Sequence, residues 1–325
     1  MGVLDPLRSN HVILSEPQAE HLQRSRNQWY TVEVRPPRNQ DVPASLPNFV
    51  SGILEIQNKW FGLRNTSPIV AYEIRRPKPS ELRFQYAVPT KRLERKVRTQ
   101  LKDEIPEVSF SEGVSGLPVI PEDTVGGGLL TTGKDDWYPF ITEFDSPPID
   151  AVTALLHRHA MKDTRFVIQV LFRPIAGNPV RNWWWQKQAV HQHNHLKREK
   201  EQIWGTAQPT RREKRKADEI DSKAGNARFW TSIRFLIIGS HEYTPSRVKE
   251  LAGGFNRFEN PDTDQYFNAV TIQPFLENRL LDFAEAVADR EFAGWSRKFR
   301  ATTRELAGLL SLPNRSQKNI TYSQA

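Results

Sequence analysis

The stretch ELRFQYAVPTKRLERKVRTQLKDEIP, residues 81–106, changes its period half-way along. Leu82, Phe84, Tyr86 and Val88 alternate with polar or small residues, the pattern of a half-buried strand. Leu93, Val97, Leu101 and Ile105 then recur at helical spacing. Thr90 stands where a hydroxyl can accept a free amide of the first turn, and Pro106 stops the helix. Upstream, WYTVEVR (29–35) reads as a strand closed by Pro36 and Pro37, and IVAYEIR (69–75) as another. Between them Phe49, Ile53, Ile56 and Trp60 predict a helix over residues 46–62. Val108 and Phe110 supply a last short strand. The order β-α-β-β-α-β over residues 29–112 is that of a ferredoxin-like unit.

The same order is expected again over residues 129–275. Strand material lies around Trp137–Ile141, and Asp145 or Ser146 is placed to cap a helix with Ile149, Val152, Leu156 and Ala160 on its apolar face. Phe166, Ile168, Val170 and Phe172 form a strand, as does FWTSIRFLII (229–238). A helix over 246–258 and a strand over 266–272 complete the unit. Residues 113–128, rich in Gly and Pro, read as a linker, and residues 1–28 as a polar tail. Residues 276–325 form a C-terminal segment, entered by an amphipathic helix over 273–289 (Leu276, Leu280, Phe283, Val287) and ending in a short helix and an extended tail. The expected fold class is therefore α+β, two ferredoxin-like units in tandem.

An insertion, residues 176–228, breaks the second unit where a hairpin would need only a few residues. Its stretch 181–228 carries twelve Lys/Arg against six Asp/Glu, a net of +6 in a chain whose total is +8. It reads as a helical hairpin bent near Gly205–Pro209. Lys197, Arg198, Lys200, Arg211, Arg212, Lys214, Arg215 and Lys216 are the candidate contacts to a phosphate backbone. Binding through them is expected to weaken steeply with salt and to show little sequence preference.

Other chemistry is poorly represented. With no cysteine, disulfides, thiolate zinc sites, iron–sulfur clusters and cysteine nucleophiles are excluded. GLLTTGKD (128–135) matches part of a phosphate-binding loop, but Asp135 replaces the hydroxyl that would hold Mg²⁺, so the chain is expected neither to bind nor to hydrolyse nucleotide. In HQHNH (191–195) only His191 and His195 share a helical face, too few ligands for structural zinc, and His157 and His159 make a second bare pair. Trp183, Trp184 and Trp185 are expected to pack at the hairpin base. No cofactor is implied. The longest apolar run, 233–240, is short and carries Arg234, and the first twenty residues lack an apolar signal core, so a cytoplasmic location is expected.

Three stretches carry a resemblance. DWYPF (136–140) is followed by Ser146-Pro-Pro and an apolar helix. VIQVLFRP (167–174) is a strand with Gln169 inside it. RELAGLLSLPN (304–314) precedes an extended ITYSQA (320–325). In order and spacing these resemble the N-terminal region of conjugation-type (type IV secretion) and HerA/FtsK-like DNA-translocating ATPases, over residues 128–325. There the last stretch leads into a RecA-like motor. The chain stops where that motor would begin and holds no complete Walker A, Walker B or arginine finger, so the resemblance implies a non-catalytic assembly or docking role. The partners it implies are a downstream or separate RecA-like motor ATPase, secretion-channel proteins and DNA, with oligomerisation on joining the motor and a place at the inner face of the membrane through those partners. Two rival readings remain. One is a standalone nucleic-acid-binding protein of a mobile element or virus, using RRM-like sheets, with Tyr72, Phe84 and Tyr86 as stacking rings, and the basic hairpin. The other is a nuclease or relaxase, for which HQHNH is the sole candidate.

Overall fold

The computed structural model describes residues 9–38, 41–59, 64–157, 164–176, 179–198, 200–202, 205–276, 278–293 and 296–323. The described residues open with β1 (His11–Ile13) and α1 (Glu16–Leu22), so the described part of the expected tail is structured. β2 (Tyr30–Arg35) and α2 (Pro47–Gly52) follow. The helix expected to reach residue 62 ends ten residues early. Phe49, Val50 and Ile53 are buried, whereas Ile56 is 58% exposed and Trp60 lies outside the described residues. A two-residue hairpin of β3 (Asn58–Lys59) and β4 (Arg64–Asn65) takes its place. β5 (Val70–Lys78), β6 (Glu81–Val88), α3 (Lys91–Glu104) and β7 (Ser109–Glu112) complete the first half. Thr90 caps α3 by accepting from the Leu93 amide at 3.3 Å, and Leu93, Val97 and Leu101 are buried.

The second half starts earlier than its glycines suggest. β8 runs Thr124–Thr132, through Gly126, Gly127 and Gly128, so only residues 113–123 connect the halves. A side chain at Gly127 would overlap the carbonyl oxygen of Phe235 and press on the Phe283 ring, and one at Gly128 would meet Val248. These glycines mark close packing on both faces rather than a linker. Residues 137–141, expected as a strand, form a turn that buries Phe140. α4 (Ile149–Leu156) starts after Pro148, not at Asp145 or Ser146, and within its first turn Asp150 points inward and accepts the Asn314 amide at 2.9 Å. Ala160, expected on its apolar face, lies outside the described residues. β9 (Arg165–Pro174) leads to the insertion: α5 (Pro179–Lys197), β10 (Lys200–Gln202) paired with β11 (Gly205–Ala207), and α6 (Arg211–Gly225). Then come β12 (Arg228–Ile238), α7 (Thr244–Gly253) with a 3₁₀ turn at Asn256–Phe258, β13 (Phe267–Thr271), α8 (Asn278–Ala288), β14 (Phe299–Thr302) and α9 (Thr303–Leu309). α8 starts five residues later than its apolar spacing predicts, leaving Leu276 67% exposed.

Among the described residues, ten strands join one antiparallel sheet. Its order is β1-β8-β12-β9-β5-β6-β2-β7, with β13 also on β8 and β14 also on β12. The halves meet edge to edge where β5 pairs β9, from Val70 opposite Phe172 to Arg76 opposite Phe166. One face carries the main core and is covered by α2, α3, α4, α7 and α9. The other packs β8, β9 and β12 against α1 and α8.

A polar row crosses the middle of that second face. Glu33, Gln85, Glu73, Gln169 and Arg234 stand directly opposite one another on β2, β6, β5, β9 and β12, all buried. Glu73 accepts from Gln85 and Gln169 at 2.7 Å each, and Arg290, just beyond α8, closes on both its oxygens at 2.8 and 3.1 Å. Arg234 reaches Gln169, the Glu291 carbonyl and Ser296. Burial alone would raise the Glu73 pKa, but Arg290, Arg75 and the Gln169 amide hold it below the ordinary glutamate value of 4.5.

Two outcomes follow for stability. Glu73→Gln should cost about 3–5 kcal/mol in urea unfolding, because Arg290 and Arg75 stay buried without their carboxylate. The stabilisation from Glu73 is full above 4.5, the value in the unfolded chain, and is lost as pH falls through its depressed folded value. The gap between wild type and variant should therefore close in acid; a gap constant down to the acid transition would refute the network. Gly127→Ala should destabilise by about 3 kcal/mol through overpacking. Gly253→Ala, whose new methyl meets nothing within 4 Å, should be neutral or stabilise by up to ~1 kcal/mol.

Candidate functional site

The hairpin of α5 and α6 is the part of the molecule that the sheet does not require. α6 starts at Thr210, which makes a capping box with Glu213. Trp185, Ala189 and Ile220 pack between the helices and against Trp137 and Tyr138. The hairpin is bolted down at its base. Lys223 and Glu305, each 1% exposed, pair at 2.8 Å, and Glu305 also accepts the Phe140 amide at 2.8 Å and the Thr302 amide at 2.7 Å. Trp185 donates its indole N–H to Asp136 at 2.6 Å, and Asp136 pairs with Arg300 at 3.2 Å. Arg300 lies 4.4 Å from the Trp230 ring centre and Arg228 lies 4.2 Å from that of Trp185. Buried, hydrogen-bonded partners of this kind fix the hairpin rigidly.

The structure divides the eight candidate cations. Lys197 pairs with Asp218 at 2.8 Å, and Arg215 with Asp262 at 3.3 Å. Arg212 and Lys216 both pair with Asp264, Lys216 at 3.1 Å while also lying 4.8 Å from the Tyr138 ring centre. Hydrogen bonding and the charges of Lys216 and Arg212 hold the Asp264 carboxyl below its usual range. Arg198, Arg211 and Lys214 are exposed and make no ion pair among the described residues. Lys200 lies on β10. The acidic loop at residues 262–264 thus quenches much of the charge that the insertion carries.

Other sequence features fall elsewhere. Of the three tryptophans only Trp185 packs; Trp183 and Trp184 are 56% and 57% exposed. On α5, His191 and His195 are exposed and His193 contacts Asn194. His157 ends α4, and His159 lies outside the described residues. In the loop resembling a phosphate cradle, Gly128–Thr132 is sheet. The Gly133 amide goes to the Tyr266 carbonyl at 2.8 Å and the Lys134 amide to Gln265 at 3.0 Å. Tyr72, Phe84 and Tyr86, the rings an RRM-like platform would need, face the covered side and are buried. Their hydroxyls, on Tyr72 and Tyr86, donate to the carbonyls of Ser311 and Leu310 at 3.0 and 2.9 Å. A stacking platform on these strands is ruled out.

The C-terminal stretch spans both halves. Leu306, Leu309, Leu310 and Leu312 are buried in the main core. The Leu46 amide donates to the Ala307 carbonyl at 3.2 Å, and Asn314 accepts the Val42 amide at 3.2 Å. Ile320 bridges Leu82, and the Ser323 amide reaches the Pro36 carbonyl at 3.0 Å. A family model described as "Domain of unknown function (DUF8128)" matches residues 4–325. The chain belongs to this family. No curated protein matches the sequence. In this DUF8128 fold, then, the match takes in both halves, the hairpin and the C-terminal stretch alike.

Asp262→Asn with Asp264→Asn frees Arg212, Arg215 and Lys216. Affinity for a labelled oligonucleotide, read by fluorescence anisotropy at low salt, should rise several-fold. The slope of log K against log salt should steepen by ~0.9 for each phosphate newly contacted. Unchanged affinity and slope would dismiss the hairpin as a polyanion site.

Proposed function

We propose that the chain is a non-catalytic assembly module of a conjugation-type DNA-translocating ATPase, built from two ferredoxin-like units. Support for the units comes from strand order. In the first half it is β5-β6-β2-β7 and in the second β9-β12-β8-β13, each equivalent to 2-3-1-4 in the chain order of its own four strands. The observation that carries the functional reading is the seating of RELAGLLSLPN. In the resembled ATPases this stretch leads to the motor. Here Glu305 ties it to the hairpin through Lys223, Tyr72 and Tyr86 tie it to the first half, and Asp150 ties Asn314 to the second. A motor joined through such a stretch would pull on the whole sheet at once.

The partners of that reading are a RecA-like motor ATPase, secretion-channel proteins and DNA, met on the cytoplasmic side of a membrane. Among the described residues no helix is long and apolar enough to cross one. With the sheet rings buried, the nucleic-acid-binding alternative rests on Arg198, Arg211, Lys214 and the exposed Trp183 and Trp184 of the hairpin.

The test is reconstitution with the RecA-like motor encoded beside or after this chain. The chain alone should release phosphate from ATP at background, with or without DNA, and should co-elute with the motor as a discrete oligomer that turns over ATP. Turnover by the chain alone that Lys134→Ala abolishes, or failure to associate with the motor, would overturn the assignment.

A further inference from the structure

Among the described residues, the buried arginines each reach an oxygen. Arg75 donates to the Val114 carbonyl, Arg76 to that of Thr164, Arg234 to Ser296, Arg290 to Glu73 and Arg300 to Asp136. Arg173, near the end of β9, does not. Its Nε is sealed from solvent with no acceptor, and its contact is the ring of Phe292, 5.8 Å from the centroid. Arg173 is half-buried, and burial lowers its pKa, so the fold partly desolvates this charge while giving it no ion pair among the described residues. A cation held that way is set for an anion that arrives from outside.

The guanidinium lines a cleft of about 490 Å³, whose walls include Asn27, Trp29, Arg64, Thr66 and Glu291. That volume lies within the range of small-molecule sites. Arg64 is exposed and makes no ion pair among the described residues. Arg290 also lines the cleft, but its charge is taken by Glu73. Glu291, the one acidic wall residue, is held by the Asn27 side-chain amide at 2.8 Å. Two planar guanidinium forks favour an oxyanion with several acceptor oxygens, and a phosphate meets that better than a carboxylate. Trp29 is fixed by donating to the Asp289 carbonyl at 3.2 Å, with Arg290 5.5 Å from its ring centre. An indole in the wall gives a flat surface against which a base can lie.

We propose that this cleft binds the phosphate ester of a nucleotide unit, with Arg173 and Arg64 holding the phosphate and Trp29 meeting the base. The proposal goes beyond the assembly reading and does not depend on it. It departs from the expectation that the chain binds no nucleotide, which rested on the loop at Lys134, a different part of the fold. Binding alone is proposed, with no chemistry on the phosphate.

The experiment is isothermal titration of the full chain with adenosine monophosphate, inorganic phosphate, adenosine and a ten-residue oligothymidylate at one fixed salt. Adenosine monophosphate should bind saturably and adenosine at least about tenfold more weakly, the scale of one charge-assisted contact. Arg173→Gln should weaken the nucleotide about tenfold or more. Arg64→Gln, at an exposed position that leaves folding intact, should also weaken it several-fold. Trp29→Leu should weaken the nucleotide but not inorganic phosphate. The order of adenosine monophosphate and the oligothymidylate assigns the source, a free nucleotide or a strand, and either order supports the site. No saturable binding of any phosphate-bearing probe, equal binding of adenosine, or binding indifferent to both arginine variants would overturn it.

Discussion

The carboxylate of Glu73 is the constraint on which the molecule turns. It sits at the seam where β5 of the first half pairs β9 of the second, and its ligands come from three parts of the chain: Gln85, Gln169 and Arg290. Removing a partner from a buried charge is strongly destabilising. The seam, the helix before Arg290 and the connection at residues 113–116 must therefore be in place together. Arg75 and Arg290 both donate to carbonyls of that connection, which makes it a structural element and not a tether. The two halves of the chain are thereby held as one sheet.

Much of this was legible locally and little of it globally. Residues 81–106 announced β6 and α3, and the strands at 165–174 and 228–238 followed from their apolar alternation. The polar row was present in the sequence as one polar residue in the middle of each strand. Alternation, however, assigns such residues to a solvent face, and only the packing of α8, Arg290, Glu291 and Ser296 over that face shows that they are inside. Gly126–Gly128 misled for the opposite reason. Glycine has no side chain to display a period, and its value here lies in what α7, α8 and β12 press against it.

The candidate site divides the same way. The cations of the hairpin could be read directly, but Asp262 and Asp264 stand some fifty residues from the arginines they pair with. Net charge of a segment describes its composition, not the field it presents. Arg173 carried no sequence signal at all. It stands at the end of an apolar strand as an ordinary exit residue, and what sets it apart is a half-buried guanidinium on a cleft wall with no ion pair among the described residues.

The C-terminal strap also sets a timetable for synthesis. Tyr86 emerges early, and its hydroxyl waits for the Leu310 carbonyl, 224 residues later. At a translation rate of about 5–20 residues per second that interval is on the order of tens of seconds. Throughout it the first half has its sheet and α3 but lacks the leucines of α9 and the residues after it, which fill its core beside Phe49. The edge of β5 likewise stays open until β9 arrives. The nascent first half is therefore obliged to wait in an unfinished state, apolar and open-edged, until the leucines at 306–312 arrive to cover it.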